Sequence, residues 1–212
     1  MAKRQDHNQR AETRRGHDDH HAGHHAFSGI EEWIRRLDNP EREEKQRPHE
    51  VIEKLDLHDG DVVADIGAGT GYFALRIAAS YPQVRVVAAD AQREMVDYLA
   101  TQVKARDLAN LEPVVIHSAR PKLPVKADLA LMVDTLHHIA DRTQYLGYLK
   151  GSLAPGSRIA VIDYAKDAPK GPPDQHRISK EGVARDLEGV GYTLEIDVKF
   201  LPNQYFLIFR QD

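Results

Sequence analysis

With 212 residues, 41% hydrophobic and 29% charged, the chain has room for one full domain and an appendage, and this composition excludes a fibrous, collagen-like or wholly disordered protein. Its 29 Lys and Arg against 33 Asp and Glu give a formal charge of −4, so no global positive field collects phosphate backbones and nucleic acid is not an expected partner. Cysteine is absent, which excludes disulfides, thiolate metal sites, iron–sulfur clusters and cysteine nucleophiles.

Residues 1–25 hold six of the twelve His (His7, His17, His20, His21, His24 and His25) among charged neighbours, with almost nothing to bury. A disordered tail is expected. Its HDDHHAGHH string can bind metal adventitiously, but no selective metal site is expected there. Nor does it offer the apolar run of a signal peptide, and no segment reaches the roughly 18 apolar residues of a membrane helix. A soluble cytoplasmic protein with no membrane partner is the expectation, and the pattern specifies no oligomeric state.

Order is expected to begin at FSGIEEWIRRLDNP, where Ser28 and Glu31 form a capping box and Ile30, Trp33, Ile34 and Leu37 make one apolar helical stripe. Asp38-Asn39-Pro40 stops that helix. After the charged stretch EREEKQR, Pro48 suits the first turn of a second helix carrying Val51, Ile52 and Leu55. The stretch 26–57 is expected to act as a helical lid, and 58–212 as the main domain.

Five strands then alternate with helical segments: 62–66, 84–89, 113–117, 128–133 and 158–164. Four of them are almost continuously apolar, the mark of parallel strands buried on both faces. Two last runs, YTLEIDVKF and YFLIFR, read as an antiparallel hairpin. The predicted class is therefore α/β: a doubly wound, Rossmann-like seven-stranded sheet, mostly parallel, with a C-terminal antiparallel hairpin and helices on both faces.

In such a sheet the ligand lies beyond the carboxyl ends of the strands where their order reverses. The first strand ends in DIGAGTG, whose Gly67, Gly69 and Gly71 allow a tight turn and close backbone approach. A dinucleotide fingerprint needs a third glycine where this chain has Tyr72, and does not need the acid it has at Asp65. Asp90 closes the second strand, where a carboxylate can take both hydroxyls of a ribose.

The pieces VVADIGAGTGYF, VVAAD, DLALMVDTLHHI and LAPGSRIAVIDY, in this order and spacing, resemble the class I S-adenosylmethionine-dependent methyltransferases, closest to the bacterial small-molecule branch. That resemblance makes 58–212 a methyltransferase domain and S-adenosylmethionine the cofactor. The loop Gly67, Ala68, Gly69, Thr70, Gly71 would wrap the methionine part, and Asp65 would hold its ammonium group directly or through water. Asp90, with Ala91 beside it, would take the ribose hydroxyls, Met95 would lie against adenine, and Ser118 and Ala119 would face the adenine edge. Relatives commonly carry Asp where Ala119 stands, so Ser118 or a backbone amide has to substitute. Asp134 and Thr135 would sit beside the sulfonium. Plainer readings stand beside these: Asp65 as a loop cap, Asp90 as a helix start, and Met95 with Leu99 and Val103 as a core stripe.

Methyl transfer needs a base only when the acceptor carries a proton at attack. His138 is the first candidate and His137 the second, since an imidazole titrates near neutrality; either could instead be structural. Asp134 could orient the acceptor, and Tyr164 and His176 rank behind. Without Cys, covalent cytosine-carbon methylation is excluded, and DTLHH lacks the Asn/Asp-Pro-Pro-aromatic signature of adenine or glutamine amide methylation. A small-molecule acceptor remains. The competing readings are a nicotinamide-dependent oxidoreductase, and a non-catalytic protein that binds S-adenosylmethionine or metal.

Overall fold

A computed structural model describes residues 30–37 and 39–212. The His-rich tail and Ser28 of the expected capping box lie outside the described residues. Helix α1 (Ile30–Leu37) is followed by α2 (Glu41–Gln46) and α3 (Pro48–Lys54). Arg47, with φ 44°, makes the left-handed corner between the last two, and Pro48 opens α3 where its missing N–H costs nothing. The α2 helix stands where the sequence offers only a charged stretch. Polar side-chain bonds to the main domain hold it, with Gln46 as its buried residue.

The sheet comprises β1 (Val62–Ile66), β2 (Arg85–Asp90), β3 (Leu111–Val115), β4 (Ala127–Val133), β5 (Leu153–Tyr164), β6 (Tyr192–Val198) and β7 (Gln204–Gln211), in the order β3-β2-β1-β4-β5-β7-β6. All pairs from β3 to β5 are parallel, whereas β7 runs antiparallel to both β5 and β6. The predicted fold class holds. The fifth strand starts five residues earlier than expected, because its APGSR segment bulges against β4 and pairing resumes at Leu129↔Arg158. Pro113 falls in edge strand β3, where a missing donor is tolerated.

Alternation along the strands sends side chains to two cores. On β4, Leu129, Leu131 and Val133 join one face with Val51, Ile52 and Leu55 of the α3 region, Ile77 of α4 (Ala74–Ser80) and Leu99 of α5 (Arg93–Ala105). Ala130 and Met132 join the other, with Leu146 and Leu149 of α6 (Arg142–Lys150) and Val183 and Leu187 of α7 (Lys180–Glu188). Each fully buried Leu, Ile or Phe contributes about 1.5–3 kcal/mol. Helix α3 is thus part of the core, so any lid character of 26–57 rests with α1 and α2. Among the described residues, no helix is long and apolar enough to cross a membrane.

The order reverses between β1 and β4, which leave in opposite lateral directions, and the ends of these two strands frame the site.

Candidate functional site

The loop after β1 is fixed by its own amides. Gly67 N and Ala68 N both donate to Ala89 O on β2, at 2.7 and 3.1 Å. Gly67 and Gly71 have φ of +74° and +84°, and a side chain at either would collide: with Thr135 at Gly67, with Leu99 and Leu75 at Gly71. Asp90 ends β2 with Oδ2 accepting from Gly69 N (2.8 Å) and Oδ1 from Gln92 N (2.9 Å). The expected ribose acid therefore also shapes the loop, and each of its oxygens keeps a lone pair for a hydroxyl.

Asp65 is 3% exposed, and its Oδ2 accepts from Ala74 N at 3.1 Å, tying β1 to the start of α4. Its other oxygen has no hydrogen-bond partner among the described residues. Burial pushes this carboxyl up to about 7, against the pull of the Ala74 amide and the Arg42 charge. A buried acid with an unsatisfied oxygen beside a glycine loop suits a cationic amine, so the residues present fit the methionine end of S-adenosylmethionine.

Asp134 follows β4 in a left-handed conformation, φ 52°, unusual for a side chain other than glycine and frequent at functional sites. Its oxygens accept from Gln204 Nε2 of β7 (2.6 Å) and Gln46 Nε2 of α2 (2.9 Å). Burial, then the charge of Asp163, raises it to about 7. Thr135 Oγ1 bridges the switch point, its proton directed at Ile66 O (3.1 Å) and Val133 O (2.9 Å).

The two histidines occupy a short 3-10 turn, Leu136–His138. His137 Nδ1 donates to Asp163 Oδ1 and Oδ2 at 2.8 and 3.0 Å; the histidine side chain is 6% exposed and the aspartate fully buried. Burial alone would lower the His137 pKa, but its bond to Asp163 and the charges of Asp163 and Asp134 raise it above 6.5. With Nδ1 committed to the carboxylate, Nε2 is the nitrogen left to accept a proton. His138 is exposed, its ring centroid 4.1 Å from that of His137.

The other expected contacts are placed as follows. Met95 is buried on α5, Ala91 is exposed beside Asp90, and Thr70 is buried in the loop. Ser118 and Ala119 are exposed after β3, and the backbone amides of Ala119 and Arg120 donate to His117 Nδ1 at 3.0 and 3.2 Å. Tyr164 closes β5 half-buried, and His176 is exposed.

Sequence reasoning passed over Asp163, Gln46, Gln204 and Arg42. An acid inside the apolar run IAVIDY was a usable signal for Asp163; the others carry none. Above the loop, Tyr72 lies between the guanidinium groups of Arg42 and Arg76, each 4.0 Å from the ring centroid, and donates its hydroxyl to Glu43 at 3.0 Å. Leu37 of α1 comes within 3.2 Å of where a Gly69 side chain would begin. Helices α1 and α2 thus lie against the loop.

Asp65, Asp134 and His137 give the ligand-free protein one signature. Both acids hold protons in the folded state that the unfolded chain releases near pH 4, so stability falls as pH rises from about 4 through about 7. His137, raised above 6.5, acts in the same sense, since its stabilisation is lost as pH rises through the folded value. We expect the melting temperature to drop between about pH 5.5 and about pH 8, more steeply than in an Asp65→Asn/Asp134→Asn variant. Parallel profiles for the two proteins would refute the assignment.

The methyltransferase domain family matches residues 64–159. A solved S-adenosylmethionine-dependent methyltransferase from Aquifex aeolicus superposes with a TM-score of 0.78 at 27% identity, over 85% of this chain and 98% of that one. Residues 64–159 thus carry a methyltransferase domain, on the fold of an S-adenosylmethionine-dependent methyltransferase. Similarity extends to the O-methyltransferase rstn1 of Aspergillus nomiae, 27% identical over 62% of this chain, and to (S)-coclaurine N-methyltransferase of Thalictrum flavum, 26% identical over 51%. The chain spans 61% and 30% of the length of those two relatives. This match displaces the nicotinamide reading and makes S-adenosylmethionine the cofactor.

Proposed function

We propose that this methyltransferase methylates a small molecule at an oxygen or nitrogen that carries a proton, with His137 as the base. The observation that carries the reading is the His137–Asp163 pair, held beside Asp134 at the carboxyl ends of β4 and β5. When bound, S-adenosylmethionine supplies an electrophilic methyl group, which leaves the chain to hold, align and dry the reactants. Asp65 takes the ammonium group, Asp90 the ribose hydroxyls, and the 67–71 loop follows the methionine backbone. Met95 and the segment at Ser118 and Ala119 bound the adenine side; Asp134 and Thr135 stand at the methyl end.

His137 Nε2 takes the acceptor's proton as the new bond forms, and Asp163 stabilises the imidazolium. We place His137 before His138, the first candidate from the sequence, because its Nδ1 is held by the buried carboxylate of Asp163. Asp134, kept in place by two glutamine amides, orients the acceptor. Helices α1 and α2 act as the lid, with Leu37, Arg42 and Tyr72 excluding water from above. Relatives named as O- and N-methyltransferases agree with such an acceptor.

The test is incubation with S-adenosylmethionine and a panel of phenols, alcohols, amines and carbon acids, read by mass spectrometry. A gain of one methyl group on oxygen or nitrogen with release of S-adenosylhomocysteine is expected. Methylation confined to carbon would refute the acceptor class, and cofactor binding without turnover on any member would favour a non-catalytic role.

A further inference from the structure

Four tyrosines are buried among the described residues: Tyr72, Tyr145, Tyr192 and Tyr205. Three have hydroxyl partners, namely Glu43 for Tyr72 (3.0 Å), Ser157 for Tyr192 (2.9 Å) and the Ile178 carbonyl for Tyr205 (3.2 Å). The Tyr145 hydroxyl has none among the described residues, although Tyr145 is 4% exposed. A buried hydroxyl without a partner is a standing cost to the fold, tolerated where a ligand completes it.

The surroundings of Tyr145 say which ligand. It lies in the first turns of α6, in the same apolar cluster as Ala89 at the end of β2, Ile116 and Leu123 after β3, and Leu136 after β4. These are the strand ends over which the adenosine half of the cofactor has to lie if Asp90 holds the ribose. Burial foremost, and then the negative charge of Asp90, push the phenol pKa upward, so the ring is within electrostatic reach of the ribose acid. The loop after β3 bounds the adenine side but offers it one hydroxyl, that of the exposed Ser118. Position 119 carries only a methyl group, and the amides of Ala119 and Arg120 already donate to His117 Nδ1.

We propose that Tyr145 is the adenine-reading residue of this methyltransferase, its hydroxyl accepting a hydrogen bond from the exocyclic amino group. The inference rests on the cofactor assignments made above for Asp65 and Asp90.

The test crosses two proteins with two ligands. Calorimetry compares wild type and Tyr145→Phe with S-adenosylhomocysteine and with its 6-deamino analogue, which lacks the exocyclic amine. Wild type should prefer S-adenosylhomocysteine by roughly tenfold, and Tyr145→Phe should lose roughly that factor for S-adenosylhomocysteine and nothing for the analogue. Ligand-free Tyr145→Phe should melt no lower than wild type, because the deleted hydroxyl had no protein partner. Unchanged affinity for S-adenosylhomocysteine, an equal loss for both ligands, or a lower melting temperature of the free variant would each overturn the proposal. Failure of wild type to bind either ligand would instead refute the cofactor assignment, and the inference would fall with it.

Discussion

Replacing His137 with glutamine is expected to lower turnover by roughly 100- to 10,000-fold while leaving affinity for S-adenosylhomocysteine within a few-fold, the range for loss of a positioned base. Glutamine keeps much of the volume in a site where the side chain is 6% exposed, so packing survives and proton transfer does not. Asp163→Asn should produce a loss of comparable order. An amide there can donate to Nδ1, which reverses the tautomer and removes the charge that stabilises the imidazolium. His138→Ala, on an exposed ring, should cost far less. In wild type the rate should rise with pH through a pKa above the ordinary 6.5, because Asp163 and Asp134 favour the protonated ring. Equal losses in His137 and His138 variants, or a pH-independent rate, would remove the base from the mechanism.

Gly67→Val should abolish cofactor binding and also destabilise the protein. A Cβ at this position overlaps Thr135 Oγ1 and lies 2.7 Å from its Cγ2, and the backbone φ of +74° strains any side chain. Left-handed strain and overpacking together cost about 2–4 kcal/mol, which in a domain of this size lowers the melting temperature by about 5–15 °C. The displaced Thr135 is also the hydroxyl that bridges Ile66 and Val133 across the strand reversal. Gly69→Val makes the informative contrast, since its φ of +54° brings similar strain but among the described residues its Cβ meets only the flexible tip of Leu37, at 3.2 Å. It should impair binding with a smaller thermal loss. In a Gly67→Ala background, adding Thr135→Ala should recover part of the stability. Absence of any recovery would mean that backbone strain alone sets the cost.

The parts of the fold legible in the sequence are those decided by local pattern. VVADI, VRVVAA and DLALMV are apolar runs too continuous for a half-exposed sheet, and all three are central parallel strands. The glycine loop and the acids at 65 and 90 are local as well, since turn chemistry and strand ends fix them within one unit of chain. What could not be read depends on contacts made at long range. Helix α2 has no apolar stripe to announce it, and its stability comes from Glu43 on Tyr72 and Arg76 and from Gln46 on Asp134. Nothing in DTLHH tells which imidazole faces an acid 26 residues away. That an otherwise ordinary Tyr145 lacks a partner is a property of its surroundings alone.

Asp134 draws its two amide donors from residues 88 positions before it and 70 after it. Contacts of such separation are late and entropically expensive to close. The glycine loop and the acid at its edge, Gly69 and Asp90, are separated by only 21 positions. During synthesis the chain can therefore assemble β1, β2 and the glycine loop well before β7 leaves the ribosome. The setting of Asp134 has to wait for Gln204 of β7. A polypeptide stalled short of β7 lacks one of the two amides that set Asp134, so on the roles proposed above the binding loop matures first and the reaction geometry second.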